Sequence, residues 1–384
     1  MAGAGTRTLA RPVPRGAVNK TRVLVLAPDF PPAFGGIQLL VHRVVSYWQD
    51  LEVLILTTAE GSEGPDLGLA ATVRRVNTSR TRSRPGKVAL LSARAITEAR
   101  RFHPHAVLSS HIVMSPAAWA IARLTGAPYI QYLHGREVTS RPRLADFALR
   151  HSAATIAVSD YTASLVAASR GRTRMHRIPP GVDAAGPRRQ DQSPLPVILT
   201  VSRMSEPSKG HDVMLRALPL VRARLPQVQW VVIGDGPLRP RYERMAHAFG
   251  VTDQVRFVGA LPDDERDAWF DAAHLFAMPS RLSSTGGGEG FGIVYLEAAA
   301  HNLAVVAGNV GGALEAVIDG VTGVLVDPTD HLAVADAIND LLLDRRRAEA
   351  LGRAGAARVP DFSWCSVSKR VEQIVMEVAT GRRA

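Results

Sequence analysis

Two carboxylates and a run of glycines place the chemistry of this chain within residues 279–300, PSRLSSTGGGEGFGIVYLEAAA. A polar stretch ends in three glycines. Glu289 follows, then Gly290, Phe291 and Gly292, and then an apolar run that carries a second acid, Glu297. Gly290 and Gly292 can take backbone angles and close approaches that side chains forbid, so main-chain amides there can face an anion. The run Ile293 to Ala300 predicts a buried helix, whose first free N–H groups and positive dipole end make a phosphate site. If the stretch between Glu289 and Glu297 were wholly helical, the two acids would lie ~12 Å apart along the axis. A pair of carboxyls cleaving a glycosidic bond with retention stands at about 5–5.5 Å. Glu289 and Glu297 therefore fit two ends of one long ligand better than two sides of one bond. The same residues also fit a glycine-rich loop before a core helix, with incidental acids.

Two cations stand six residues apart in VSRMSEPSKGHD, Arg203 and Lys209, after an apolar run that reads as a strand. They can flank a diphosphate, Arg by forking to its oxygens and Lys as a point charge. Gly35 and Gly36, in DFPPAFGGIQ, follow another such run. Paired glycines at a strand-to-helix turn let amides approach a phosphate or sugar, and they equally suit a tight turn with no ligand. His134 follows a third run, in YLHGREV, with Gly135 and Glu137 behind it. Asp263, Asp264, Glu265 and Asp267 sit at a helix start, where negative charge suits the dipole, and are not read as a metal site.

The elements that must carry these residues alternate. Short Val/Leu/Ile-rich runs at 22–28, 51–58, 105–111, 128–135 and 154–160 predict strands, each followed by a helical pattern. IPPGVD closes this half, and AAGPRRQDQSPLP reads as a linker. Strands are expected again at 196–203, 229–236, 255–261, 275–280, 303–308 and 322–326. Such alternation implies α/β architecture: two doubly wound parallel sheets in tandem, binding ligands beyond the carboxyl ends of their strands.

EGFGIVYLE, the SR…KG segment, GDGP at 234–237, HG-x-E and DFPP-x-x-GGIQ together resemble the retaining GT-B glycosyltransferases of the glycogen-synthase-like family 4, over nearly the whole chain after residue 21. Ser202 stands where that family commonly has glycine. The resemblance implies the GT-B fold, with two Rossmann-like domains facing a cleft. It divides the chain into a leader at 1–20, an acceptor-side domain at 21–185, a linker at 186–195, a donor-nucleotide domain at 196–360, and a C-terminal helix at 361–384 crossing back to the first domain. It implies that Glu289 contacts the transferred sugar and that Glu297 holds the ribose hydroxyls. Gly290, Phe291 and the amides around Gly292, Ile293 and Val294 would face the diphosphate, with Gly35 and Gly36 opposite. Arg203 and Lys209 would stabilise the leaving group, and His134 would lie against the sugar. Gly311, Gly312 and Glu315 resemble the family's G-G-x-x-E turn beside the nucleotide. The co-substrate would be a nucleotide diphosphate sugar, with no metal and no further cofactor.

DFPPAFGGIQ and FAMPSR…GGGEGFGIVYLEA look most similar to the GDP-mannose-dependent phosphatidylinositol monomannoside mannosyltransferases of actinobacteria. The acceptor would then be a lipid headgroup. A UDP-sugar-dependent enzyme acting on a small natural product is the alternative within the class; a sugar-nucleotide epimerase or a non-catalytic sensor is the alternative outside it.

Composition narrows the rest. With 384 residues, 46% of them hydrophobic, the chain can fill two ordinary cores. One cysteine, Cys365, excludes a disulfide framework and a thiol metal cluster. No apolar stretch approaches the ~20 residues of a membrane span. Arg7, Arg11, Arg15 and Lys20, without an apolar core between them, read as a disordered leader and not as a secretory signal. A cytoplasmic protein is expected, touching the inner face of an anionic membrane if its acceptor is a lipid. Residues 1–185 hold 24 Lys and Arg against 11 Asp and Glu, and residues 186–384 hold 22 against 24. The excess suits an anionic partner for the first half. Its densest part, Arg74, Arg75, Arg80, Arg82, Arg84 and Lys87, reads as a solvated surface loop. No aromatic platform interleaves those arginines, so nucleic acid is not expected.

Overall fold

The computed structural model describes residues 20–33, 35–58, 68–79, 81, 83–167, 174–186, 191–284 and 286–381. The expected leader apart from Lys20, residues 187–190 of the expected linker, and Arg80 and Arg82 lie outside the described residues.

Two all-parallel sheets organise the chain. In the first half the elements run β1 (Thr21–Leu26), α1 (Gly36–Ser46), β2 (Leu51–Thr58), β3 (Thr72–Val76), α2 (Arg84–Phe102) and β4 (Ala106–Ser109). They continue α3 (Ser115–Thr125), β5 (Tyr129–Leu133), α4 (Arg136–Ser140), α5 (Pro142–His151), β6 (Ala154–Ala157), α6 (Asp160–Ser164) and β7 (Arg174–Arg177). The second half runs β8 (Val197–Val201), α7 (His211–Arg224), β9 (Gln229–Ile233), α8 (Arg239–Ala248), β10 (Val255–Gly259), α9 (Asp263–Ala272) and β11 (Leu275–Met278). Then come α10 (Ile293–Ala300), β12 (Ala304–Gly308), α11 (Ala313–Ala316), β13 (Gly323–Val326), α12 (His331–Leu343), α13 (Arg345–Arg358) and α14 (Trp364–Thr380).

The seven-stranded sheet is ordered β3-β2-β1-β4-β5-β6-β7 and the six-stranded sheet β10-β9-β8-β11-β12-β13. Central strands are covered on both faces by helices, so β1, β4, β5, β6, β11 and β12 are mostly apolar, with Val, Leu, Ile and Ala inside and Ser109, Gln131 and Thr155 buried among them. Strand order reverses between β1 and β4 and again between β8 and β11. Loops leaving the carboxyl ends at such points part to opposite faces and open a crevice. Those loops carry Gly35–Gly36 after β1, Arg203 after β8 and Glu289 after β11.

Two strands were not expected. β3 is TVRRV and β7 is RMHR, the outermost strands of the first sheet. The arginines expected in a solvated loop are therefore partly structural. Arg74 pairs with Glu98 of α2, whose side chain is 1% exposed and also faces Arg94 at 2.8 Å. Arg75 Nη2 donates to the Pro31 carbonyl at 2.5 Å and so steadies the loop after β1.

The chain crosses between the halves twice, side by side. Val182 N donates to the Phe362 carbonyl at 2.8 Å, and Val182 bridges Ser363 in parallel. Gly181 is small for a reason: a Cβ there would lie 2.5 Å from the Trp364 ring. Beyond this crossing α14 lies on the first half. Ser368 Oγ donates to the Val44 carbonyl at 2.6 Å, and Val367, Val371, Ile374 and Val375 are buried in one apolar cluster with Val23, Val41 and Ile130.

Candidate active site

The site starts at the carboxyl end of β11. Gly292, at φ 91°, turns the chain into α10, and a Cβ there would lie 2.5 Å from the Tyr295 ring. The N–H groups of Ile293 and Val294 begin the helix with no side-chain cap, which leaves them for a ligand. Glu289 lies before the helix and Glu297 in its second turn, so the two carboxylates occupy different elements.

Glu289 is paired. Its Oε2 meets Lys209 Nζ, with side-chain exposures of 18% and 28%. Lys209 ends a short 3-10 turn before α7, and Gly210 closes that turn at φ 80° with its Cα against the Pro279 carbonyl, where a side chain would not fit. The two residues assigned from sequence to sugar and diphosphate thus form one ion pair. Arg203 is exposed, in the loop after β8. That loop is shaped by GDGP: Cβ atoms at Gly234 and Gly236 would strike the backbones of Ser202 and Met204, and Met204 N donates to Asp235 O at 2.9 Å. Ser202, the departure from the family pattern, shares a hydrogen bond of 3.1 Å with His211 Nε2 and ties the Arg203 loop to the start of α7.

Glu297 is the acid expected to hold the ribose hydroxyls. Its Oε1 lies 3.5 Å from Arg266 Nη2, on α9, and its side chain is 18% exposed. Burial pushes its pKa up, with Asp263, Asp267 and Asp183 adding to the rise and Arg266 opposing it. The acidic run thus contributes a cation, Arg266, that faces Glu297.

The first sheet supplies the opposite wall. His134 Nε2 donates to the Ser110 carbonyl at 2.7 Å, and its ring stacks on Tyr132 with centroids 5.3 Å apart. Glu137 is buried and accepts from the His134 backbone N–H at 2.6 Å, so the acid of HG-x-E holds the turn that presents the histidine. Gly36 faces Ile293 of α10, at 3.8 Å from its Cδ1 to a Cβ built on the glycine. Backbones from the two halves meet at one point: a Cβ on Gly290 would overlap the His134 carbonyl oxygen, and one on Gly135 would lie 3.2 Å from Gly290 Cα. Arg136 adds an ion pair to Glu206 of the second half.

Sequence reasoning missed Ser159 and Tyr161, while it set Glu315 in a turn beside the nucleotide. Ser159 Oγ donates to the Gly290 carbonyl at 2.5 Å, and the Tyr161 hydroxyl bridges Gly286 O at 3.2 Å and Gly288 N at 3.0 Å. Glu315 accepts the backbone N–H groups of Asp160 and Tyr161, each at 3.0 Å. The only signal available was Ser159, a helix N-cap type directly after a strand.

His211 also sets an acid limit. Burial, with Lys209 beside it, lowers its pKa to about 4 from 6.5. Between those values the unfolded chain binds a proton that the folded chain does not, so stability falls as pH drops from 6.5 to 4. The loss is on the order of 3 kcal/mol for this group. Urea melts at pH 7 and pH 4 are expected to show a decrease, to which His111 and His274, also lowered to about 4 by burial, add and which the raised Glu297 partly offsets. An unchanged midpoint would mean that His211 is protonated in the folded chain.

Comparison with known proteins places these features in a wider group. The family described as Glycosyl transferases group 1 matches residues 187–358, and Glycosyltransferase Family 4 matches residues 34–185. A Mycobacterium tuberculosis protein named GDP-mannose-dependent alpha-(1-6)-phosphatidylinositol monomannoside mannosyltransferase is 35% identical over 381 residues, covering 91% of this chain and 97% of that protein. Its namesake from Mycolicibacterium smegmatis is 39% identical over 283 residues, 68% of this chain and 73% of that one. Among solved structures, sucrose-phosphate synthase from Thermosynechococcus elongatus superposes with a TM-score of 0.81 over 94% of this chain and all of that one, at 19% identity. Anabaena HepE in complex with UDP and glucose gives 0.75 over 93% of this chain and all of that one, at 21% identity. At these identities the two structures speak to fold alone.

Proposed function

The chain belongs to glycosyltransferase family 4, a GT-B hexosyltransferase, and from that premise we propose that it moves mannose from GDP-mannose to a phosphatidylinositol monomannoside with retention of configuration. The observation that carries the reading is the convergence at Gly290. The open N-terminus of α10, the Lys209–Glu289 pair and the His134 turn meet there, between two halves that each present a strand-order reversal.

In this reading residues 21–185 form the acceptor side and residues 196–360 the donor side, joined through 186–195, with 361–384 returning to the first. The diphosphate lies on the amides of Gly292, Ile293 and Val294, between Arg203 and Lys209, with Gly290 and Phe291 lining the turn and Gly35 and Gly36 opposite. Glu297 takes the ribose hydroxyls at the far end. Glu289, released from Lys209 as that cation turns to the phosphates, takes a sugar hydroxyl. His134 bounds the sugar from the first half.

The C1–O bond to phosphate breaks and the acceptor oxygen bonds C1 from the same face, its proton leaving with the departing phosphate. No carboxylate need become covalently bound. The negative charge that grows on the leaving oxygen is met by the helix start, by Arg203, and by Lys209 once it has turned from Glu289 to the phosphates. Among the described residues no helix is long and apolar enough to cross a membrane. A lipid acceptor therefore has to be met at a surface, and the basic excess of residues 1–185 supports contact with an anionic one.

The test is donor choice followed by transfer. Purified protein incubated separately with GDP-mannose, UDP-glucose and UDP-N-acetylglucosamine is expected to release nucleotide from GDP-mannose alone. Labelled mannose should then appear in phosphatidylinositol dimannoside when the monomannoside is supplied in vesicles. Release from a UDP-sugar instead would overturn the donor assignment and favour the natural-product alternative.

A further inference from the structure

Three glycines, Gly286 to Gly288, precede Glu289 and one follows it. Glycine gives the chain the freedom to approach a ligand, and it gives a carboxylate no fixed position unless something else holds the loop. Within the loop, Ser283 N donates to Gly287 O at 2.7 Å and Gly286 N to Ser283 O at 2.9 Å, which ties the segment to itself and not to the site.

The residues on either side of Glu289 are held from the other half of the molecule. Gly288 N donates to the Tyr161 hydroxyl at 3.0 Å, and the Gly290 carbonyl accepts from Ser159 Oγ at 2.5 Å. Both side chains belong to one tetrapeptide, Ser159–Thr162, at the start of α6. Thr162 Oγ1 also lies 3.4 Å from the Gly290 carbonyl. The tetrapeptide is itself seated on the second half, because the Glu315 carboxylate takes the Asp160 and Tyr161 N–H groups, each at 3.0 Å. Arg358 fixes the Glu315 segment through the carbonyls of Glu315 and Ala316, at 3.2 and 3.0 Å. Gly312 N, from the same segment, donates to the Glu289 carbonyl at 2.8 Å. The loop around Glu289 is thus held from both sides.

We infer that Tyr161 and Glu315 are positioning residues for Glu289: by clasping α6 to the donor loop across the cleft, they bring that carboxylate to its working place only when the halves are closed. The inference rests on the reading of Glu289 as the group that meets the sugar. The nucleotide contacts of that reading lie on the second half apart from the loop at Gly35–Gly36, so the clasp acts chiefly on turnover and only weakly on nucleotide binding. It gives the enzyme a way to bind GDP-mannose with the cleft open and to complete its site on closure. Misplacement of a reacting group by about 1 Å costs on the order of a hundredfold in rate, which sets the scale of the effect.

The experiment compares Tyr161→Phe, Glu315→Gln and Glu289→Gln with the parent full chain, measuring GDP affinity by calorimetry and kcat and KM for GDP-mannose with the lipid acceptor. Tyr161→Phe removes one hydroxyl and keeps the ring. Glu315→Gln keeps size and replaces one acceptor oxygen by a donor that opposes an N–H. Both are expected to lower kcat about tenfold or more with the GDP dissociation constant unchanged within about twofold. Thermal melts close to the parent's separate this result from loss of fold. If Glu289→Gln is inactive while both clasp variants turn over normally, or if they lose GDP affinity in proportion to rate, the clasp is overturned and the site reading stands. If Glu289→Gln itself turns over normally, the site reading fails and the inference with it.

Discussion

Glu289→Gln is expected to cut mannose transfer by about a hundred- to a thousandfold in kcat, the range seen when one preorganised group is lost at developing charge. Affinity for GDP should stay the same or tighten slightly. The sign of the second effect comes from the ion pair. Lys209 Nζ is held by the Glu289 carboxylate. Its charge must be drawn from that partner before it can serve a diphosphate. A neutral amide at 289 releases the lysine at no cost, so GDP meets a more available cation. Glu297→Ala should do the reverse: GDP affinity falls because the ribose hold is gone, and Arg266 is left facing Asp263 alone at 3.1 Å. Parallel calorimetry and turnover on the two variants decide the matter. Were Glu289→Gln to lose GDP binding and rate together, Glu289 would be a nucleotide ligand and the role assignment would be wrong.

Gly290→Ala should be nearly as damaging for a different reason. A Cβ there would overlap the His134 carbonyl oxygen and lie 3.0 Å from its carbon. Neither atom belongs to a side chain that can rotate away, so the two halves must separate by roughly 1 Å, the displacement that costs on the order of a hundredfold in rate. The expected result is kcat/KM down by about that factor, with GDP affinity retained and a slightly larger radius of gyration in small-angle scattering. Gly186→Ala is the control, since a Cβ at Gly186 meets nothing within 4 Å. Full turnover by Gly290→Ala would show that the contact between Gly290 and His134 is not part of the working state.

The second sheet was legible strand by strand. Its inner strands are covered on both faces and its partly exposed edge strand β10 still carries Val255, Phe257 and Val258, so the sheet shows in the sequence as apolar runs at 196–203, 229–236, 255–261, 275–280, 303–308 and 322–326. The first sheet was legible except at its two edges. β3 and β7 expose much of their surface and carry arginines, and an edge strand with polar side chains has no hydrophobic period to reveal it. Arg74 shows how the error arose. Read alone it is a surface charge, and only the fold brings it to Glu98, which is buried on a helix 24 residues further on.

The site divided along the same line. Residues whose role is set by local chain geometry could be read directly: the turn at Gly292, the helix start at Ile293, the cations after β8. Contacts made between halves could not. The pairing of Lys209 with Glu289 joins residues 80 apart, and the hold of Tyr161 on Gly288 joins residues 127 apart. The latter works through main-chain atoms of glycines, which carry no side-chain signature in the sequence.

The last helix carries a consequence for how the protein is made. Trp364–Thr380 packs its buried face into the same cluster as β1, α1 and β5, so the core of the first half is completed by residues translated long after it. Domains usually fold in order as the chain emerges. Here α1 and the adjoining sheet face stay uncovered until Trp364–Thr380, about 340 residues downstream of β1, has emerged from the ribosome. The second domain lies wholly between those pieces and can fold first. A ribosome stalled before residue 364 would then hold a finished second half joined to a first half whose α14-facing surface is uncovered, the kind of exposed apolar surface that makes a nascent chain prone to aggregate.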